Sequence, residues 1–382
     1  IAEIQEKYAE GEKVVTSKAL SEDWQNRRYE SDKLWAYRPI KVDEVPEGKH
    51  PVDWFINQKL EELGLEKAPI ANGRELYRRL SFGLTGLPPS PSEVENFEKE
   101  FKLSREALSL YAKKLMVSPH YGEHFARHWL DVARYADSGG FANDYSRPNA
   151  WRYRDYVVRA FHEDKPYNQF VMEQIAGDEM DSEKVENLVA TGFLRMGPWE
   201  QTGMSVFKET RQLWLDDVTD SVGQAFLAHA MQCAKCHDHK FDPVPTRDYY
   251  GMMAVFSTTQ LAERKASFLP SESRDYFDSY SGLVQSKIAF YNQQNAELNE
   301  KMKRLRKEEK GSAKVGDNGL DSGDEASQSR IYKNLIRHKI ELDRVEPLTH
   351  TVYTGKTIVR KNVQGRLDLP ENPWKKGYFD SD

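Results

Sequence analysis

The stretch Cys233-Ala234-Lys235-Cys236-His237 contains both cysteines of the 382-residue chain. Two cysteines this close in sequence cannot build a disulfide framework, so we expect the fold to depend on a hydrophobic core. In the preceding residues 211–231, large apolar side chains recur every four positions, as Trp214, Val218, Val222 and Phe226. This period predicts a long helix whose carboxyl end delivers the cysteine pair.

The composition of the whole chain is typical of a soluble globular protein. Hydrophobic residues make up 38%, charged residues 30% and aromatic residues 12% of the chain, which is unlike disordered or collagen-like sequences. The formal net charge of −6 offers no basic surface for nucleic acid. We find no run of about 18 apolar residues, and we therefore expect no membrane span.

Helix start signals recur through the amino-terminal half. Ser90-Pro91-Ser92-Glu93 has the capping-box pattern, in which a hydroxyl and a carboxylate satisfy the first amides of a helix. Ser118-Pro119 opens a further helix, which we expect to run to about Tyr135, and residues 151–161 predict another. These signals predict a mainly α protein whose helices form an irregular domain with long loops.

We divide the chain into three parts on the basis of these patterns. Residues 1–49 read as an extended lead-in, and residues 50–262 as the helical domain that carries the cysteine pair. Residues 263–382 are predicted to form a helical hairpin extension with a flexible loop at 311–329, followed by the start of a downstream segment.

The spacing of Cys233, Cys236 and His237 fits covalent haem attachment. Each thiol can add to one vinyl group of the haem, and the adjacent imidazole can reach the iron. We therefore expect one covalently bound haem c, with His237 as the proximal iron ligand. His239 is too close in sequence to His237 to cross to the opposite face, so we expect it to contact a propionate or to hydrogen-bond near the iron ligand.

Other interpretations of the same residues remain open. Cys233, Cys236, His237 and His239 supply the number of thiolates and imidazoles that a closed tetrahedral zinc site needs, although all four lie within seven residues. A thioredoxin-like redox pair is a third reading, but no βαβ pattern surrounds the cysteines. A buried and inert cysteine pair is the fourth.

The ligand on the opposite face of a haem would decide the function. A second protein ligand favours electron transfer, whereas an open position favours binding or activation of a small molecule. His124 and His128 lie four residues apart on one predicted helix and so share a face. We take His128 as the candidate distal ligand, with His124, Met204 and Met231 as further candidates.

The polar loop at residues 136–149 and the helix after it contain candidate catalytic groups. Asp137 and Asp144 could act as acid or base, and Arg147 and Arg154 could bind an anionic group. Polar loops between rigid elements are frequent locations of functional sites. We therefore expect these four residues to shape a substrate pocket.

Longer stretches of the chain resemble a known family. From about Leu34 to Glu263 the chain contains, in order, LWAYRPI, ELYRRLSFGLTGLPPSPSEV, RHWLDVARYADS, WRYRDYVVRAF, DKPYNQFVMEQIAGD, LVATGFLRMGP and CAKCHDHKFDPVPTRDYYGMMAVF. These motifs are similar to those of the cytochrome-C-like domain of planctomycetes and related bacteria, which is largely described as a domain of unknown function. The resemblance implies an exported, mainly helical haem-binding protein, commonly joined to a second family-specific domain downstream.

The resemblance also bears on the site and on the reaction. It implies that Cys233, Cys236 and His237 hold haem and that His239 and Asp242 lie near the iron ligand. Members of the family often occur among polysaccharide-degrading proteins, which associates them with sugars without giving a mechanism.

Our leading hypothesis is an exported, periplasmic redox enzyme that acts on a small substrate of carbohydrate origin. Its partners would be haem and either a redox protein or the downstream domain. The alternative is an electron-transfer or assembly subunit with a fully ligated haem and no substrate of its own. A zinc-stabilised binding module is the third hypothesis.

Overall fold

The structure, a computed structural model, describes residues 34–41, 44–141, 144–199, 207–308 and 322–355. The helices are α1 (Pro51–Glu62), α2 (Gly73–Thr85), α3 (Pro91–Leu103), α4 (Glu106–Met116), α5 (Pro119–Ala133), α6 (Ala150–His162), α7 (Tyr167–Met180), α8 (Val185–Ala190), α9 (Phe207–Leu227), α10 (Thr246–Val255), α11 (Phe277–Glu308) and α12 (Ser322–Glu341). Strands β1 (Thr259–Lys265) and β2 (Leu348–Thr354) form an antiparallel pair. Short 3-10 helices lie at Trp35–Tyr37, Thr191–Arg195, Gln232–Lys235 and Leu342–Val345. The prediction of a mainly α protein is confirmed.

No helix within the described residues is long and apolar enough to cross a membrane. This agrees with the expectation from the sequence.

The helix boundaries follow from local capping chemistry. At the start of α3 the Ser90 side chain accepts a hydrogen bond from the Glu93 amide, and the Glu93 carboxylate accepts one from the Ser90 amide, as the sequence predicts. Asn72 and Glu75 make the same reciprocal pair at α2. Gly86 ends α2 in the left-handed conformation (φ 70°), which glycine adopts without steric cost.

The described chain divides into two compact units. The first contains the residues up to Val117 together with Cys233–Tyr249, and the second contains residues 118–232 and those from Tyr250 onward. This division differs from the expected single domain over residues 50–262. It arises because packing in three dimensions groups the cysteine segment with the amino-terminal helices, a contact pattern that composition and local periodicity do not encode.

The first unit has a small aromatic core. Tyr77 of α2 stacks on Phe97 of α3 with ring centroids 4.9 Å apart, and Tyr111 of α4 packs edge-on against both rings. Phe97 is fully buried. The Tyr111 hydroxyl donates a hydrogen bond to Glu100, so the one polar atom of this ring has a partner.

The second unit has a larger core built from α5 to α9 and the sheet. Trp214 of α9 is buried and donates its indole N–H to the Leu194 carbonyl at 3.1 Å. Tyr153 and Tyr156 of α6 are buried beside it in the same cluster. The core side chains come mainly from helix faces, which agrees with the helical periodicity of the sequence.

Strand β1 was not expected from the sequence. Its residues, Thr259–Lys265, mix polar and apolar side chains, yet the first five are buried. The strand pairs with β2 so that Glu263 lies opposite His350. Residues 349–353 contain threonine and valine, which favour strands, and they lie within β2.

Helices α11 and α12 contact each other, and Lys301 forms an ion pair with Asp324 at 2.7 Å. Residues 322–329 were expected in the flexible loop at 311–329, but they form the first turns of α12. Acidic side chains in the first helical turn, Asp324 and Glu325, favour this earlier start through the helix dipole. The remainder of the expected loop, residues 311–321, lies outside the described residues.

Candidate functional site

Helix α9 ends before it reaches the cysteines. Ala228 adopts a positive φ of 58°, and the chain folds back so that the His229 amide donates to the Gly223 carbonyl at 3.0 Å. A side chain at position 223 would lie 2.8 Å from the His229 carbonyl oxygen, so glycine is required there. The cysteines therefore follow a tight turn rather than the last turn of a helix running to residue 231.

The cysteine pair lies on a short 3-10 helix and the turn that follows it. Cys233 and Cys236 are both exposed and both are free thiols. Ala234 between them is fully buried and anchors the segment. This arrangement leaves the two sulfur atoms accessible, which excludes the buried and inert reading.

The ring of His237 has a defined orientation. Its Nδ1 lies 2.8 Å from the backbone carbonyl oxygen of Asp238, and a carbonyl can only accept, so Nδ1 carries the proton. In the neutral ring the lone pair is then on Nε2. A hydrogen bond of this kind fixes the tautomer of histidines that bind a metal through the other nitrogen.

The loop after His237 is held by its own polar groups. The Nδ1 atom of the buried His239 accepts a hydrogen bond from the Asp242 amide at 3.0 Å. The Asp238 carboxylate accepts one from the Thr246 amide at 2.8 Å, in the first turn of α10. His239 and Asp238 thus shape the loop that carries His237.

The zinc hypothesis gains no support from this geometry. Within the part of the chain that the structure describes, no group of three or more His, Cys, Asp and Glu side chains is placed to hold a metal ion. Covalent haem attachment does not need such a group, because it uses two thiols and one imidazole at separate points of the cofactor.

His124, His128 and Met231, three of the candidate distal ligands, lie in the second unit. His124 and His128 both lie on α5, with ring centroids 4.9 Å apart, as their four-residue spacing predicts. Partial burial and the neighbouring His128 lower the pKa of His124. His128 is exposed, Met231 is buried, and Met204 lies outside the described residues.

Asp137 and Asp144 lie in the loop before α6. The Asp137 carboxylate accepts a hydrogen bond from the Tyr135 hydroxyl at 2.7 Å. Asp144 accepts one from the Gly140 amide at 2.9 Å. Hydrogen bonding, above all from Ser138, holds the pKa of Asp144 below its ordinary value, so this carboxylate is ionised at neutral pH.

The Arg147 side chain, which we expected at a substrate pocket, is buried among backbone groups. Its side chain is only 3% exposed, and its guanidinium donates hydrogen bonds to the backbone carbonyls of Met196 and Gly197. Burial, with a contribution from the nearby Arg195, lowers the pKa of Arg147 to about 10. Arg147 therefore fastens the 136–149 loop to the chain after the Thr191–Arg195 helix, and in this conformation it is closed to a substrate.

Arg154 is the one of the four candidate catalytic residues that lines a cavity of about 610 Å³ in the second unit. This cavity lies between α5 and α6 and also receives the side chains of Arg127 and Arg159. Acidic side chains, including Asp131 and Asp155, line it as well. Asp137, Asp144 and Arg147 are not among the lining residues of this cavity.

Two buried ion pairs of the second unit were not predicted from the sequence. Arg152 and Glu272, both fully buried, pair at 2.8 Å, and Arg195 pairs with Glu263 at 2.9 Å. His350 lies 3.2 Å from the same Glu263 carboxylate. The members of each pair are separated by 120 and 68 positions along the chain, so no motif or local spacing could reveal them.

The comparisons with known proteins identify the family but no activity. A family model, PSCyt2, protein of unknown function (DUF1549), matches residues 51–261, which is more than half of the chain. No curated protein and no solved structure matches the chain. The chain belongs to the PSCyt2 family of proteins of unknown function.

Proposed function

We propose that the chain is an exported, periplasmic c-type haem protein with a redox function. Cys233 and Cys236 would form the two thioether bonds, and His237 would bind the iron. The observation that carries this proposal is the Cys-Ala-Lys-Cys-His segment itself, with both thiols exposed and with Nδ1 of His237 donating to the Asp238 carbonyl.

The residues present fit the haem group. Thioether formation needs accessible sulfur atoms, and both cysteines are exposed and free of disulfide. Axial ligation needs an imidazole with its lone pair on one defined nitrogen, and the contact with Asp238 places that lone pair on Nε2. Bound haem would supply reversible one-electron exchange at its iron.

The surrounding residues position these groups. The hydrogen bond to the Asp238 carbonyl orients the His237 ring and makes its other nitrogen a stronger donor to a metal. The Asp238 carboxylate ties this residue to the first turn of α10 through Thr246. His239 holds the following turn by accepting from the Asp242 amide, which is a supporting role for the loop.

Within this proposal, the chain acts as a redox enzyme on a small substrate of carbohydrate origin. The cavity lined by Arg154 supports this part, because a volume of about 610 Å³ accommodates a molecule of that size. Three arginines, Arg127, Arg154 and Arg159, line it, and guanidinium groups bind carboxylates in two-point contacts. Glu123, Asp131 and Asp155 line the same cavity, and Arg154 already pairs with Asp155 at 2.8 Å. This mixed lining favours a polar substrate and does not select an acidic one.

A second candidate function is electron transfer without a substrate. The exposure of Cys233 and Cys236 favours it, because a cofactor attached at the surface can exchange electrons with a partner protein. His128 would then serve as the second axial ligand, and the iron would have no open position.

The haem content of the protein tests both candidates. The chain would be produced with an export signal in cells that carry a cytochrome-maturation system, then stained for covalent haem and recorded as oxidised and reduced absorption spectra. We expect covalent haem in the native chain and its loss in a Cys233→Ala, Cys236→Ala double variant. Absence of covalent haem from the folded native chain would overturn the proposal.

The spin state of the iron separates the enzyme from the electron carrier. A high-spin spectrum supports an open position and the enzyme, whereas a low-spin spectrum supports two protein ligands. In the low-spin case a His128→Gln variant should become high-spin, and the matched variant His120→Gln on the same helix should remain low-spin. If chelator unfolds a haem-free chain that contains zinc, the zinc-stabilised module is the correct reading.

A further inference from the structure

A second cavity in the second unit is walled largely by aromatic rings. Its volume is about 310 Å³, and it lies among α5, α6, α7 and the turn between the last two. The aromatic lining residues are Tyr121, Phe125, Trp129, Phe161, Tyr167 and Phe170. Four contacts between neighbouring rings, with centroids 4.8 to 6.1 Å apart, make most of this wall continuous.

The two charged side chains at this cavity differ in whether they already have a partner in the protein. Two charged residues line it, Asp164 and Lys165. The Lys165 ammonium lies 2.5 Å from the carboxylate of Glu173, which is buried, and 4.6 Å from the centre of the Tyr156 ring. Lys165 is therefore engaged by Glu173, a carboxylate that Lys184 also approaches at 3.5 Å, so the charge of Lys165 is partly compensated within the protein. Among the described residues, no side chain pairs with the Asp164 carboxylate, which is exposed in the turn.

An aromatic wall with one available carboxylate has a definite chemical preference. The face of an aromatic ring carries partial negative charge and attracts cations, most of all weakly hydrated ones such as methylated ammonium groups. The same ring cluster already holds one ammonium, that of Lys165 over Tyr156. An anion would gain nothing from these rings and would be repelled by Asp164.

We propose that this cavity binds a small organic cation that carries a methylated ammonium group. The rings of α5, α6 and α7 surround the methyl groups, and Asp164 compensates the charge at the rim. The cavity volume of about 310 Å³ fits a ligand of this class. The site is separate from the cavity that Arg154 lines, and it does not depend on haem.

Calorimetric titration of the full chain with choline tests the proposal. The comparison ligand is dimethylbutanol, in which a neutral tert-butyl group replaces the trimethylammonium group at nearly the same shape. We expect choline to bind at least about fivefold more tightly than dimethylbutanol, since the two ligands differ mainly in charge.

Two variants locate the site. Asp164→Asn removes the charge, and asparagine tolerates the left-handed backbone at this position (φ 51°). It should weaken choline binding about fivefold or more and leave dimethylbutanol binding unchanged. The matched variant Asp131→Asn, whose side chain lines the other cavity, should leave choline binding unchanged.

Three results would overturn the proposal. They are the absence of choline binding to the folded chain, equal affinity for choline and dimethylbutanol, and undiminished choline binding by a folded Asp164→Asn variant. Circular dichroism of each variant confirms that it is folded, and the haem content of the sample has no bearing on any of the three results.

Discussion

We expect the substitution Glu263→Gln to destabilise the second unit and so to measure the strength of its buried ion pair. Glu263 lies on β1, is 6% exposed, and accepts a hydrogen bond from Arg195 at 2.9 Å. The Arg195 guanidinium also donates to the carbonyls of Ala262 and Thr351, so it ties both strands to the chain before Gly197. Glutamine preserves the shape of the side chain but leaves the buried guanidinium without a counter-charge.

The magnitude follows from the electrostatics of the pair. Burial alone would raise the pKa of Glu263, but the charge of Arg195 and the contact with His350 outweigh it and lower the pKa from 4.5 to about 2. This difference corresponds to about 3 kcal/mol of stabilisation, at roughly 1.4 kcal/mol for each tenfold change. Removing one partner of a buried ion pair costs about 3–5 kcal/mol in measured cases, which is consistent.

The pH dependence has a definite sign. Because the folded pKa of Glu263 lies below the unfolded value, its contribution is complete above about pH 5 and is lost as the pH falls toward about 2. The stability gap between the native chain and the variant should therefore be about 3 kcal/mol at neutral pH and less than half of that at about pH 3.

Urea unfolding followed by far-UV circular dichroism at both pH values measures this gap. A double variant, Arg195→Met with Glu263→Gln, serves as the control. It should recover at least about 1 kcal/mol relative to Glu263→Gln alone, because it no longer buries an unpaired charge. A loss below about 1 kcal/mol for Glu263→Gln at neutral pH would refute the reasoning.

Three further predictions concern single positions. Burial, and to a smaller extent the charge of Arg195, lowers the pKa of His350. The free energy of unfolding of the native chain, measured in urea, should therefore fall as the pH drops below about 6.5. In the His350→Gln variant this free energy should depend less on pH over the same range. Ser90→Ala removes the cap of α3 and should lower the free energy of unfolding of the first unit by about 1 kcal/mol, read by hydrogen exchange; an unchanged exchange rate would contradict the cap. Gly177→Ala places a methyl group against the backbone of Asn187 and should cost about 1–3 kcal/mol in thermal unfolding, whereas Gly282→Ala, with open space around it, should be neutral or stabilising.

Much of the helical part of the fold could be predicted from the sequence because its signals are local. The capping box at Ser90 and the serine-proline start at Ser118 involve residues within one helical turn, and both mark helix starts in the structure. The tight turn at Ala228 was missed, since alanine rarely adopts a positive φ and gives no warning of one. The carboxyl end of the helix before the cysteines was therefore predicted four residues too late, at 231 instead of Leu227.

The sheet and its buried charges could not be predicted for a different reason. In β1 the polar Gln260 and Glu263 are buried next to Leu261 and Ala262, so the strand has no alternation of polar and apolar residues. Glu263 is tolerated inside only because Arg195 reaches it from a distant part of the chain. Such a pairing becomes visible only after the strands and helices have been assembled.

For the candidate site, the sequence supports a hypothesis about the chemistry but not the geometry around it. The Cys233 to His237 segment needs no distant partner to be recognised, because its chemistry is contained in five consecutive residues. The role expected for Arg147 depended on exposure, and the carbonyl groups that bury its guanidinium lie about fifty positions away. The aromatic cavity combines three helices, and no single one of them shows it.

The grouping of residues 233–249 with the amino-terminal helices has a consequence for biosynthesis. The chain passes from one unit to the other after Val117, after Gln232 and again after Tyr249. A ribosome that has released residues 1–117 has therefore not yet made all of the first unit, which must wait until residue 249 emerges. The first unit can therefore be completed only after much of the second has emerged, and folding of this chain should not follow a simple order from the amino end.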